Sequence, residues 1–278
     1  MGEALSYCAA EVRRADYDRF LTVLFAPAEA RERLFALYAF NHEIAKVRET
    51  VSEPMLGQIR LQWWREAIGG IYEGKPRAHA VVDALRAAVD AAEAPRADFE
   101  ALIDARELDL AGRAPENLAA LEAYGEGSSS RLMYLAAAML GARGEATRIA
   151  LRPLGIAWAI TGLVRAIPFH ARARRQYIPA EIAAAAGLTE GALFSLKPGE
   201  PLRRAVAALA AAAERQLASA KAADPERAAR PLLLFATLAR AYLRKLKRRG
   251  YEVMDRPVEI SPALKITSLW WAARTGTD

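Results

Sequence analysis

The chain has 278 residues but only one cysteine, Cys8, and three histidines. A single cysteine excludes an internal disulfide and the cysteine-rich metal sites, and it fits a reducing compartment. Strand-favouring runs of Val, Ile and Thr are scarce, while Ala, Leu, Arg and Glu dominate, which points to helices. No stretch reaches the roughly 18 to 20 uncharged apolar residues of a spanning helix. The nearest, 153–164, ends at Arg165 after about two-thirds of that length and reads as a buried helix. The opening residues, Met1 to Tyr7, lack a basic region followed by an apolar core, so no export signal and a cytoplasmic location are expected. Zinc spacing, a glycine-rich clamp and an aromatic–basic sheet pattern are also missing, so no nucleic-acid partner is expected.

What is present is enough apolar material for a core: 53% of residues are hydrophobic and 26% charged, a balance that argues against disorder. The net charge of +6 and pI near 9.5 call for an anionic partner, whether membrane surface, diphosphate or acidic protein. Helical periodicity predicts elements over 28–49, 55–72, 77–92, 98–110, 118–140 and 145–166, the last kinked or divided at Pro153. Residues 177–199 read as irregular with a short helix near 179–186. Further helices are expected over 202–222, 231–249 and 262–274. Connections are short and no linker or repeat interrupts them, so 1–278 is expected to form one all-α domain.

Two segments carry the functional reading: Tyr38-Ala-Phe-Asn-His-Glu-Ile-Ala-Lys-Val-Arg-Glu, and Arg165-Ala-Ile-Pro-Phe-His-Ala-Arg-Ala-Arg-Arg-Gln-Tyr-Ile-Pro. With Phe20-Leu-Thr-Val-Leu-Phe-Ala-Pro, Gln62-Trp-Trp-Arg-Glu and Tyr251-Glu-Val-Met-Asp, in that order, they resemble the squalene/phytoene synthase family. The resemblance implies an isoprenoid-synthase-type helical bundle around a central cavity. In that family, two Asp-rich helices hold the magnesium ions that neutralise a departing diphosphate. Such ions require hard oxygen ligands, and carboxylates four residues apart share one helix face.

Here the resemblance sets the first Asp-rich motif on Ala45, Lys46 and Glu49, and the second on Ala166 and His170. Alanine cannot ligate, lysine places a cation where a ligand is wanted, and imidazole suits magnesium poorly. The family's Gln and Asn contacts to diphosphate fall on Ala159 and Gly162, an Arg falls on His42, and an early phosphate-binding Ser falls on Arg19. Tyr38, Arg165 and Tyr177 are retained. The pattern of departure, with Ser52-Glu-Pro-Met-Leu-Gly-Gln-Ile-Arg and Ser128-Ser-Ser-Arg-Leu-Met-Tyr, resembles the branch whose members assist assembly of respiratory complex I.

That resemblance implies a non-catalytic protein with no cofactor and no metal, peripheral on the inner membrane. Its implied partners are complex I subunits or assembly intermediates. Its candidate pocket residues are Tyr38, His42, Lys46, Glu49, Arg165, His170 and Tyr177. Two alternatives stand beside it: an active head-to-head prenyltransferase using farnesyl or geranylgeranyl diphosphate with magnesium, and a metal-free carrier of an isoprenoid or lipid.

Other residues have plainer readings. His170 either orients an anionic ligand or sits half-buried in a basic turn. His42, Lys46 and Glu49 share a helix face and either line the cavity or form a local ion pair. Asp104, Glu107 and Asp109 are spread around their helix and read as a solvated acidic face. Ser128, Ser129 and Ser130 read as a loop or helix start. The five tryptophans are core by default, with Trp270 and Trp271 the alternative case of an interfacial anchor. The basic residues from Arg240 to Arg249 suit a helix C-terminus and form either a solvated face or an attraction for anionic lipid.

Overall fold

The computed structural model describes residues 5–276, and every regular element among them is helical. Two helices that periodicity did not resolve come first, α1 (Tyr7–Ala15) and α2 (Tyr17–Val23). Ser6 caps α1 by accepting from the Ala9 amide at 3.1 Å, and Asp16 caps α2 through Arg19 N at 2.9 Å. Next come α3 (Ala28–Ala45), α4 (Val47–Thr50), α5 (Pro54–Tyr72), α6 (Ala80–Ala92), α7 (Arg96–Ala111) and α8 (Leu118–Gly125). The helix expected over 28–49 is therefore broken at Lys46, where ψ opens to −9° before the chain resumes.

A π-turn, Glu126–Ser130, joins α8 to α9 (Arg131–Met139) without leaving the helix axis. The three serines lie in this turn and are buried, which corrects the expectation of a loop or helix start. Widening the turn frees backbone groups, and two of the serines bond to carbonyls nearby. Ser128 Oγ donates to Tyr124 O at 2.7 Å, and Ser130 Oγ to Arg152 O at 2.6 Å.

α10 (Glu145–Arg172) runs unbroken for 28 residues with Pro153 and Pro168 inside it, so the predicted division at Pro153 does not occur. Packing overrides proline's local cost here: α8, the π-turn, α9, α13 (Glu200–Ser219) and α14 (Arg230–Arg248) surround α10. Gly155 sits directly against Ser130, where an added Cβ would fall 2.5 Å from Ser130 Cα. Among the described residues α10 is the one helix long and apolar enough to cross a membrane, and more than half of its apolar window is buried in the bundle. Short helices α11 (Ala180–Ala186) and α12 (Glu190–Phe194) precede α13, and α15 (Pro262–Thr275) packs on α14.

One contiguous apolar core links these helices. Phe40 anchors its first half, edge-on to Trp64 at 5.4 Å and to Phe99 at 5.5 Å. Trp158 anchors the second, against Phe235 at 5.0 Å. Trp64 and Trp158 are buried and Trp63 packs against the core, but Trp270 and Trp271 are 50% and 63% exposed.

Candidate functional site

The seven candidate residues fall in three places. The first lies at the end of α10. His170 and Tyr177 lie with ring centroids 4.7 Å apart, their planes tilted by 51°, and line a cavity with Leu121, Ile160, Ile167 and Leu209. The cavity holds about 10 Å³, the room of roughly one water molecule and far below the ~300–1,000 Å³ of a typical ligand pocket. Burial, then the Arg175 charge, pushes His170 down to about 4, so the imidazole is neutral at pH 7.

Tyr177 leads into a buried polar chain that sequence reasoning missed. Tyr177 and Tyr124 both donate to Asp109 Oδ1, each at 2.8 Å. Arg106 lies 3.4 Å from Asp109 Oδ2, donates to Tyr124 OH at 3.1 Å and reaches Asn41 Oδ1 on α3 at 3.3 Å. Burial raises both tyrosine pKa values and keeps the phenols protonated as donors. The solvated acidic face holds for Asp104 and Glu107, which share Arg65 at 2.6 and 2.7 Å. Asp109 departs from it because its position on α7 turns inward, leaving its side chain 7% exposed.

The second place is the α3–α4 break. Lys46 Nζ holds Glu43 at 2.5 Å, not Glu49, and Glu49 is exposed beyond the break. His42 is half-buried, and burial followed by the Lys46 charge lowers its pKa. Tyr38 lies deeper on α3, fully desolvated, with the Arg19 guanidinium 5.5 Å from its ring centre.

Arg165 belongs to the third place, centred on buried Asp18. Lys265 Nζ stands 2.6 Å from Asp18 Oδ1, Tyr242 OH donates to Oδ2 at 2.7 Å, and Arg165 Nη1 is 3.4 Å away. The Arg165 guanidinium lies 3.6 Å from the Tyr242 ring centre and donates to Val258 O. These contacts fasten α2, α10, α14 and α15 to one carboxylate. Nothing in the local sequence distinguishes Asp18 from its solvated neighbours, because its partners lie 147 and 224 residues along the chain.

The donor set does not suit the family's magnesium ions. Ala45 and Ala166 offer no ligand atom, Lys46 is held by Glu43, and among the described residues no three His, Cys, Asp or Glu side chains cluster as a metal site.

The architecture defines a protein of the isoprenoid-synthase fold: the chain superimposes on a dehydrosqualene synthase crystal structure with a TM-score of 0.85 at 18% identity, covering 97% of this chain and 95% of that one. A model of squalene/phytoene synthase matches residues 12–263, and the chain belongs to that family. It is 30% identical over 267 residues to NADH dehydrogenase (ubiquinone) complex I, assembly factor 6, of Bos taurus, covering 95% of this chain and 80% of that protein. It is 28% identical over 252 residues to presqualene diphosphate synthase of Sinorhizobium fredii, covering 88% of this chain and 89% of that one.

Proposed function

We propose that this chain is a non-catalytic member of its family that assists assembly of respiratory complex I, working at the periphery of the inner membrane without metal or cofactor. The observation that carries this reading is that Ala45, Lys46, Ala166 and His170 stand where the resemblance sets the family's diphosphate-handling carboxylates. A cavity the size of one water supports it, because a fifteen-carbon substrate has no space there. The similarity to the bovine assembly factor gives the direction. Deleting the gene in its host is expected to lower assembled complex I while leaving hopanoid and carotenoid levels intact; the reverse phenotype refutes the reading.

The similarity to a presqualene diphosphate synthase favours a second reading, a head-to-head prenyltransferase. Incubating the purified protein with farnesyl diphosphate and magnesium separates the two. Robust turnover abolished by Glu49→Ala, the one carboxylate kept in the motif, would establish the enzyme. A metal-free isoprenoid carrier would instead copurify with lipid visible by native mass spectrometry.

A further inference from the structure

We propose that α15 and the groove at its C-terminal end form a docking surface for a bilayer containing anionic lipid. This rests on the membrane-peripheral part of the proposed function and deepens it by naming the surface. Failure of vesicle binding overturns the surface, whereas the gene deletion tests the assembly role. α15 touches the bundle through Lys265, Leu269 and Ala272, which recur at helical spacing. Its remaining surface keeps Leu264, Ile266, Trp270 and Trp271 about half or more exposed. Large apolar side chains gathered on one exposed helix mark an interaction site, whereas scattered single ones do not.

Charge selects the occupant. α14 and α15 together contain eight Lys or Arg, six on α14 and two on α15, and no Asp or Glu. The two helices run antiparallel: Lys245 near the end of α14 bonds Glu259 O just before α15, while the first turn of α14 and the last turn of α15 line one groove. Among the described residues, Arg227, Arg230 and Arg274 line that groove with one acid, Asp224, beside Phe25 and Leu233. Arg274 also lies 4.6 Å from the Trp270 ring centre, so the tryptophan and the basic groove are continuous.

Tryptophan beside arginine on an apolar helix is the composition that settles at a headgroup boundary: the indole enters the interface while guanidinium meets phosphate. An acidic protein surface would use the same charge, but four exposed apolar side chains on the outward face of α15 fit a fluid layer better than one rigid groove. The buried Asp18–Lys265 pair holds the helix to the bundle, leaving the tryptophans outward.

The test is flotation of the full chain with vesicles of phosphatidylcholine alone, or with roughly a third phosphatidylglycerol. Binding is expected only to the anionic vesicles and is expected to fall with added salt. R230E/R274E should weaken it on the order of tenfold or more, since each basic residue near the surface contributes about fivefold. W270S/W271S should weaken it comparably, and brominated lipid should quench the wild-type tryptophan emission. Should W270S/W271S disturb folding, the charge variant and the quenching still decide. Equal binding to neutral vesicles, or flotation unchanged in both variants, overturns the proposal. Loss of an acidic protein partner on α15 substitution, with flotation unaffected, assigns the face to protein docking and also overturns it.

Discussion

Asp109→Ala is the sharpest probe of the polar chain that joins α3, α7, α8 and Tyr177. The carboxylate receives two phenol hydroxyls at 2.8 Å and neutralises Arg106, whose own side chain is 14% exposed. Removing one member of a buried ion pair typically costs about 3–5 kcal/mol, because the partner's charge stays buried. Losing the acceptor for two phenols adds to this, but Arg106 keeps Tyr124 and Asn41, and neighbouring losses do not sum. A destabilisation of about 4 kcal/mol is therefore expected. At about 2–4 °C per kcal/mol for a chain near this size, the melting point should fall by about 8–16 °C.

The series should rank by chemistry. Asp109→Asn keeps an acceptor for the tyrosines but leaves the Arg106 charge unpaired and faces it with an amide N–H, so it should cost somewhat less than Asp109→Ala, about 3 kcal/mol. Tyr177→Phe removes one hydrogen bond and should cost about 1 kcal/mol. Urea unfolding followed by circular dichroism measures all three. If Asp109→Ala costs under about 1 kcal/mol, water reaches the carboxylate and the polar chain is not buried.

Two further perturbations read other parts of the fold. The unfolded chain protonates His170 near its ordinary value of 6.5, while the folded chain does so only near 4, so stability attributable to His170 is full above about pH 6.5 and is lost as pH falls towards 4. Between pH 7 and 4.5 the wild type should lose about 2 kcal/mol that His170→Phe does not lose; parallel urea midpoints across that window would refute the burial of the ring. On α10, Gly155→Ala drives a Cβ into the Ser130 backbone and should destabilise by about 1–3 kcal/mol. Gly162→Ala on the same helix meets no atom within 4 Å and should stabilise by up to about 1 kcal/mol. Equal thermal shifts for the two variants would contradict the close approach of α10 to the π-turn.

Most of the helical frame was legible because amphipathic periodicity is local: the helices read over 202–222 and 231–249 end within a few residues of α13 and α14. α1 and α2 escaped because each is short and only a capping residue separates them. Pro153 does not divide α10 because proline's penalty is judged against an isolated helix, whereas α10 packs against α8, the π-turn, α9, α13 and α14. Of the candidate residues, the structure joins His170 to Tyr177 around one cavity, places Arg165 with Asp18, and leaves Lys46 paired at the end of α3. Asp109 was visible only as one of five acids on α7, and its role depends on Tyr177, 68 residues away.

The sequence by itself determined the helical class, because residue type and short-range spacing suffice for it. Its ordered motifs carried the resemblance to the family whose model matches residues 12–263. That Ala45, Lys46, Ala166 and His170 stand at that family's carboxylate positions is what the resemblance implies. Only the tertiary structure decided that Asp109, Arg106 and two tyrosines occupy the interior, that Asp18 fastens the last helix, and that Trp270 and Trp271 face outward. Burial and charge pairing are properties of neighbours in space, and those neighbours come from helices far apart along the chain.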